Sequence, residues 1–117
     1  MQYIKVYEGE NKILNGQVFK EDKITPFNGT DYKLSMVGTL RNSDVPNTIG
    51  PFRSDDLSPQ IEWVNSVIGT FKITLEVSDL TIPPGNYVIE IRLDNGIGEV
   101  GTISVFVITV EDSQYVV

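Results

Sequence analysis

The chain has no histidine and no cysteine among its 117 residues. Without Cys there are no disulfides, no thiolate nucleophiles and no Cys-ligated zinc. Without His, the side chain that most often shuttles protons near neutral pH or binds a transition metal is missing. Basic residues are also few, 9 against 16 acidic, and the resulting charge of −7 opposes approach to a phosphate backbone, so no nucleic-acid partner is expected. No apolar run approaches the roughly 20 residues needed to span a bilayer. The opening Met1-Gln2-Tyr3-Ile4-Lys5 lacks the basic-then-apolar layout of a secretory signal. These features predict a soluble chain made in the cytoplasm, with no membrane partner. The acid-base chemistry that remains is a carboxylate pair, Asp55-Asp56 or Asp44 with Asp55, in Ser- and Pro-containing sequence where acids are usually just solvated. Neither an enzyme nor a cofactor is expected.

What is present is alternation. Phe71, Ile73, Leu75 and Val77 interleave with Thr70, Lys72, Thr74 and Glu76, and Tyr87, Ile89, Ile91 and Leu93 interleave with Glu90 and Arg92. This is the period of strands with one buried and one wet face. Further strands are predicted over residues 3–7, 12–19, 32–40, 61–64 and 101–110. Ile82-Pro83-Pro84-Gly85-Asn86 reads as a type II turn with Pro84 second and Gly85 third. The short polar Ser78-Asp79-Leu80 suits a link between sheets, so the strands on either side of it need not be hairpin partners. Asp94-Asn95-Gly96-Ile97-Gly98 reads as a hairpin connection. Residues 41–59, rich in Pro, Gly, Ser and Asp, read as a long loop, and residues 111–117 as a frayed end or a link. At this length a single core is feasible. About seven strands and no convincing helix predict one all-β domain over residues 1–117, an immunoglobulin-like two-sheet sandwich.

Oxygen ligands for calcium occur in Asp94-Asn95-Gly96 and Ser54-Asp55-Asp56, but neither has the spacing of a known calcium loop, so a turn and a solvated loop are preferred and no metal is expected. Asn28-Gly29-Thr30 fits the short glycosylation pattern, although Gly29 is better explained by the turn before Tyr32. Trp63 is expected in the core, on the same face as Ile61. Phe52, beside Arg53 in the 41–59 loop, is the candidate for an exposed anchor. In residues 103–110 both faces are largely apolar, marking the most central strand and a second side covered by neighbours or by a partner. Phe106 and Ile108 are assigned to that second face, so Phe52, Arg53, Phe106 and Ile108 are the expected partner-binding residues.

Lys5-Val6-Tyr7-Glu8-Gly9-Glu10, Ile13-Leu14-Asn15-Gly16-Gln17-Val18-Phe19-Lys20 and Thr25-Pro26-Phe27-Asn28-Gly29 together resemble the N-terminal domain of baseplate upper proteins of tailed phages that infect Gram-positive bacteria. Gly69-Thr70-Phe71-Lys72-Ile73 and Pro84-Gly85-Asn86-Tyr87-Val88-Ile89-Glu90-Ile91 resemble the later half of that domain. The similarity covers about residues 3–110. It implies a virion structural protein, assembled in the host cytoplasm, that attaches to other tail or baseplate proteins and is homo-oligomeric in the particle. In the family a longer C-terminal part carries the receptor-binding proteins; with the sequence ending at Val117, the resemblance implies the attachment module alone or a small relative, and a direct receptor-carrying role is not expected. The alternative is an immunoglobulin-like carbohydrate-binding or spacer module of a bacterial surface protein.

Overall fold

A computed structural model describes residues 2–112 apart from Ser43, Val45, Pro46, Gly98 and Glu99. Among the described residues there are eight strands: β1 (Tyr3–Tyr7), β2 (Lys12–Gln17), β3 (Lys33–Leu40), β4 (Thr48–Arg53), β5 (Ile61–Asn65), β6 (Thr70–Leu75), β7 (Gly85–Asp94) and β8 (Val100–Glu111). They form a five-stranded sheet, β1-β8-β7-β3-β4, and a three-stranded sheet, β2-β6-β5. The two pack face to face. All pairings are antiparallel except β1 with β8, which run parallel from Tyr3 beside Val107 to Tyr7 beside Glu111.

The alternation read in the sequence fills the space between the sheets. Leu34 and Met36 of β3, Ile73 and Leu75 of β6, and Tyr87, Ile89 and Ile91 of β7 are all at most 1% exposed. Burying each such side chain stabilises the fold by roughly 1.5–3 kcal/mol. β6 and β7 lie in different sheets, as the polar link between them suggested. That link is a single helical turn, α1 (Val77–Leu80), which seats Leu80 in the core at 0% exposure. The Asp79 carboxylate holds the turn by accepting the Glu76 N–H at 2.8 Å and a bond from Gln60 Nε2. A second short turn, a 3-10 helix over Ser66–Ile68, was likewise not expected.

Three expectations are corrected. The segment 82–86 is not a type II turn: Gly85 already belongs to β7, with φ 149° and paired to Val110, and an added Cβ there would lie 2.6 Å from Leu40 Cδ1. The corner is instead closed by Tyr87, whose buried hydroxyl donates to Pro83 O at 2.8 Å and accepts from Asn47 Nδ2 at 3.3 Å. Second, the 41–59 loop contains β4. Ile49 faces Gly38 and Phe52 faces Met36, so three positions on β4 span two on β3. That bulge spaces the inward residues by three rather than two, which hides the strand from a search for period two.

Third, a bulge reverses the assigned faces of β8. Ile91 pairs with Ser104 and Arg92 with Thr102, leaving Ile103 as the extra residue. Ile103 packs against the core, and so do Phe106, Ile108 and Val110. Phe106 (8% exposed) and Ile108 (0%) therefore point between the sheets and are not open to a partner. The strand's outer side carries Val105, Val107 and Thr109. β8 is an interior strand, second in its sheet, with β7 in the middle.

Candidate protein-binding surface

The outward positions of the five-stranded sheet follow from the register. One row across it reads Tyr3, Val107, Val88, Thr39, and the next reads Val105, Glu90, Val37. Tyr3 is 64% and Val105 40% exposed, whereas Val107 is 0% exposed although it lies on the outer side. Apolar side chains from four adjacent strands thus meet at the centre of a face that, in a sandwich, normally contacts water.

Charge lies around this centre. Lys5, Lys33, Arg53 and Arg92 face outward on the same sheet, as do Glu90, Asp94 and Glu111. Four basic and three acidic side chains give this face a net +1, in a chain whose totals are 9 basic and 16 acidic. The rest of the surface therefore carries −8. Several of the charges are paired: Lys5 Nζ with Glu111 Oε1 at 3.7 Å, Arg92 Nη2 with Glu90 Oε2 at 3.4 Å, and Arg53 Nη2 with Asp94 Oδ2 at 3.4 Å. A near-neutral face with an apolar centre and a paired polar rim has the composition of a protein interface.

The predicted residues are not brought together. Phe52 lies on edge strand β4 with its ring packed against the core, and is half-buried rather than an exposed anchor. Arg53 faces outward beside it. Its Nε donates to Asp55 Oδ1 at 2.9 Å, and the two carboxylates nearby, Asp55 first and Asp94 second, raise its pKa further. The same bond lowers the pKa of Asp55. Phe106 and Ile108 lie three strand spacings from β4, roughly 14 Å, and inside the core. The outward valines were nevertheless legible. Val88 between Tyr87 and Ile89, and Val37 between Met36 and a glycine, are apolar residues at the wet positions of otherwise clean alternations.

Trp63 of β5 is half-buried. Its Nε1 donates to Tyr32 O at 3.0 Å, and its ring lies edge-on to Phe71 with centroids 6.4 Å apart. Gly29 is buried under this indole, where an added Cβ would come within 2.4 Å of the ring. Gly29 also accepts the Tyr32 N–H at 3.0 Å, so it serves both the turn and the close approach. The candidate oxygen-ligand loops bond internally. Asp94 Oδ1 accepts the Gly96 N–H at 2.7 Å, Asn95 Oδ1 accepts the Ile97 N–H at 3.0 Å, and Asp56 Oδ2 accepts the Arg53 N–H at 2.9 Å. Among the described residues no group of three or more carboxylates is placed to hold a metal ion. The hairpin residue Gly98 and tail residues 113–117 lie outside the described residues.

No protein-family model and no curated protein matches the chain.

Proposed function

We propose that this chain is an immunoglobulin-like docking module, a structural part of a phage tail or baseplate, that binds neighbouring tail proteins through the outer face of its five-stranded sheet and catalyses nothing. The observation that carries the binding role is the near-neutral, valine-centred outer face on an otherwise acidic surface. The immunoglobulin-like assignment is supported by the five-and-three division of strands, antiparallel apart from β1 with β8, and by the Tyr87 corner, in which a tyrosine near the start of a strand bonds back to the chain four residues upstream. The phage setting rests on the resemblance of the Lys5 to Gly29 and Gly69 to Ile91 segments to the baseplate domain. The carbohydrate-binding alternative is weaker because the rings of Phe52 and Trp63 pack inward rather than forming an open stacking platform.

The test is binding of the purified chain to individually purified tail proteins of the particle that encodes it. One of them should bind, and Val88→Lys, which puts a charge at the centre of the face, should weaken that complex by about tenfold or more. Lys72→Gln, on the opposite sheet, should leave affinity unchanged. If no tail protein binds, or if Val88→Lys binds like the wild type, the docking assignment is wrong.

A further inference from the structure

We infer that the unpaired edge of β8 over residues 100–106 is a pairing site for the same edge of a second copy of this chain, joining two five-stranded sheets into one of ten strands. β8 is twelve residues long, but β1 covers only its second half, from Val107 to Glu111. Val107 N–H donates to Gln2 O at 2.9 Å on that side. Because successive residues of a strand turn their peptide groups to opposite edges, Val105, two residues earlier, directs its N–H and C=O to the same side, where no strand among the described residues pairs with it. Beside this edge lies a groove of about 960 Å³ between the sheets, lined by Ile4, Leu14, Phe71, Ile103 and Phe106 among others. On its far side β2 pairs only with β6 among the described residues. Open backbone donors and acceptors next to apolar side chains are completed by an extended strand.

The composition of the edge indicates which strand. Gly101-Thr102-Ile103-Ser104-Val105-Phe106 has no charge and no proline. The four edge strands carry features that discourage pairing: Pro51 in β4, a bulge between Trp63 and Asn65 in β5, Lys5 in β1 and Lys12 in β2. An uncharged, β-prone segment meets an antiparallel copy of itself with no like charges opposed, and a two-fold axis requires that orientation. In the pair, each copy's strand lies in line with the other's β1 and covers the open side of its groove. This contact uses the sheet edge, so it is independent of the outer face proposed above to bind tail proteins.

Sedimentation velocity of the full chain across a concentration series tests the pairing. The wild type should pass from monomer to dimer. Val105→Pro removes the outward N–H without removing a bond to β7, so the sedimenting mass at high concentration should halve. Val105→Thr, which keeps the N–H, should remain dimeric, as should Val88→Lys on the outer face. In the wild type, the Val105 amide should exchange with solvent more slowly as dimer accumulates. That measurement decides the matter if the proline variant does not fold. A wild type that is monomeric throughout, a folded Val105→Pro variant that still dimerises, or a Val105 amide whose exchange ignores concentration each overturns the inference. A monomer whose Val105 amide slows only when a tail protein is added would show that the edge takes a foreign strand instead.

Discussion

The outer faces of the two sheets obey the same alternation and are filled differently. On the three-stranded sheet the outward positions hold Asn15, Gln17, Thr70, Lys72, Thr74 and Glu62, and the centre is an ion pair, Lys72 Nζ to Glu62 Oε1 at 3.2 Å, directly across β6 and β5. The exposed apolar residues on its strands, Ile13 of β2 (60%) and Val64 of β5 (61%), are kept apart by β6 rather than clustered. On the five-stranded sheet Val88, Val105 and Val107 cluster at the centre beside Glu90, which pairs with Arg92, and the Lys5–Glu111 and Arg53–Asp94 pairs lie towards the rim. A solvated face gains nothing from clustering valines, so the difference between these two faces is what supports the proposal of a contact surface on the larger sheet.

The comparison breaks most sharply at β8, where adjacent residues belong to opposite environments. Ile108→Ala should destabilise the fold by about 2–5 kcal/mol through the cavity it leaves, whereas Val105→Thr, on the outer side, should change stability by about 0.5 kcal/mol or less. Chemical denaturation of both variants reads the contrast. Equal losses would mean that the bulge at Ile103 does not set the faces as described.

Gly29→Ala tests the sandwich flank, where the indole of Trp63 leaves no room for a methyl group. A loss of about 1–3 kcal/mol is expected from the displaced ring and backbone. Tyr87→Phe should cost about 0.5–1.5 kcal/mol, because the bond to Pro83 O is lost while the buried ring is kept. A thermal melt unchanged from wild type would remove the corner as a structural element. Burial raises the Tyr87 pKa, and the bond from Asn47 only partly offsets this. The phenol is therefore neutral across the physiological range, and this contact should be insensitive to pH there.

The smallest effect is expected at Asp22, away from both faces. The Thr25 hydroxyl and the Thr25 and Ile24 amides all bond its carboxylate and lower its pKa to about 2. A carboxylate whose folded pKa is depressed contributes stability above its ordinary value of 3.8, and that contribution fades as pH falls through about 2. NMR titration should show the Ile24 and Thr25 amides shifting near pH 2, with no change in the unfolding midpoint between pH 5 and 7.

Strands with strict period two were legible without the structure. The inward sets of β3, β6 and β7 could be read directly, because a residue two positions on returns to the same face and must bury the same kind of side chain. The separation of β6 from β7 into different sheets also followed from the polar link between them. β4 and the faces of β8 were not legible, and both failures have one cause. Between Ile49 and Phe52 and at Ile103 a bulge changes the inward spacing from two to three, so counting by two put Phe106 and Ile108 outside and left Ile49 and Phe52 in a loop.

By itself, the sequence determined that the chain is an all-β domain and that it lacks the thiol and imidazole groups on which many active sites depend, since composition and alternation are local properties. Tertiary structure alone decided which way the side chains of β4 and β8 face, because a bulge is set by the register between two paired strands and not by the spacing within one. It also decided which edge is unpaired among the described residues. That depends on β1 beginning at Tyr3 beside Val107, a relation between residues far apart in the chain that no local pattern carries.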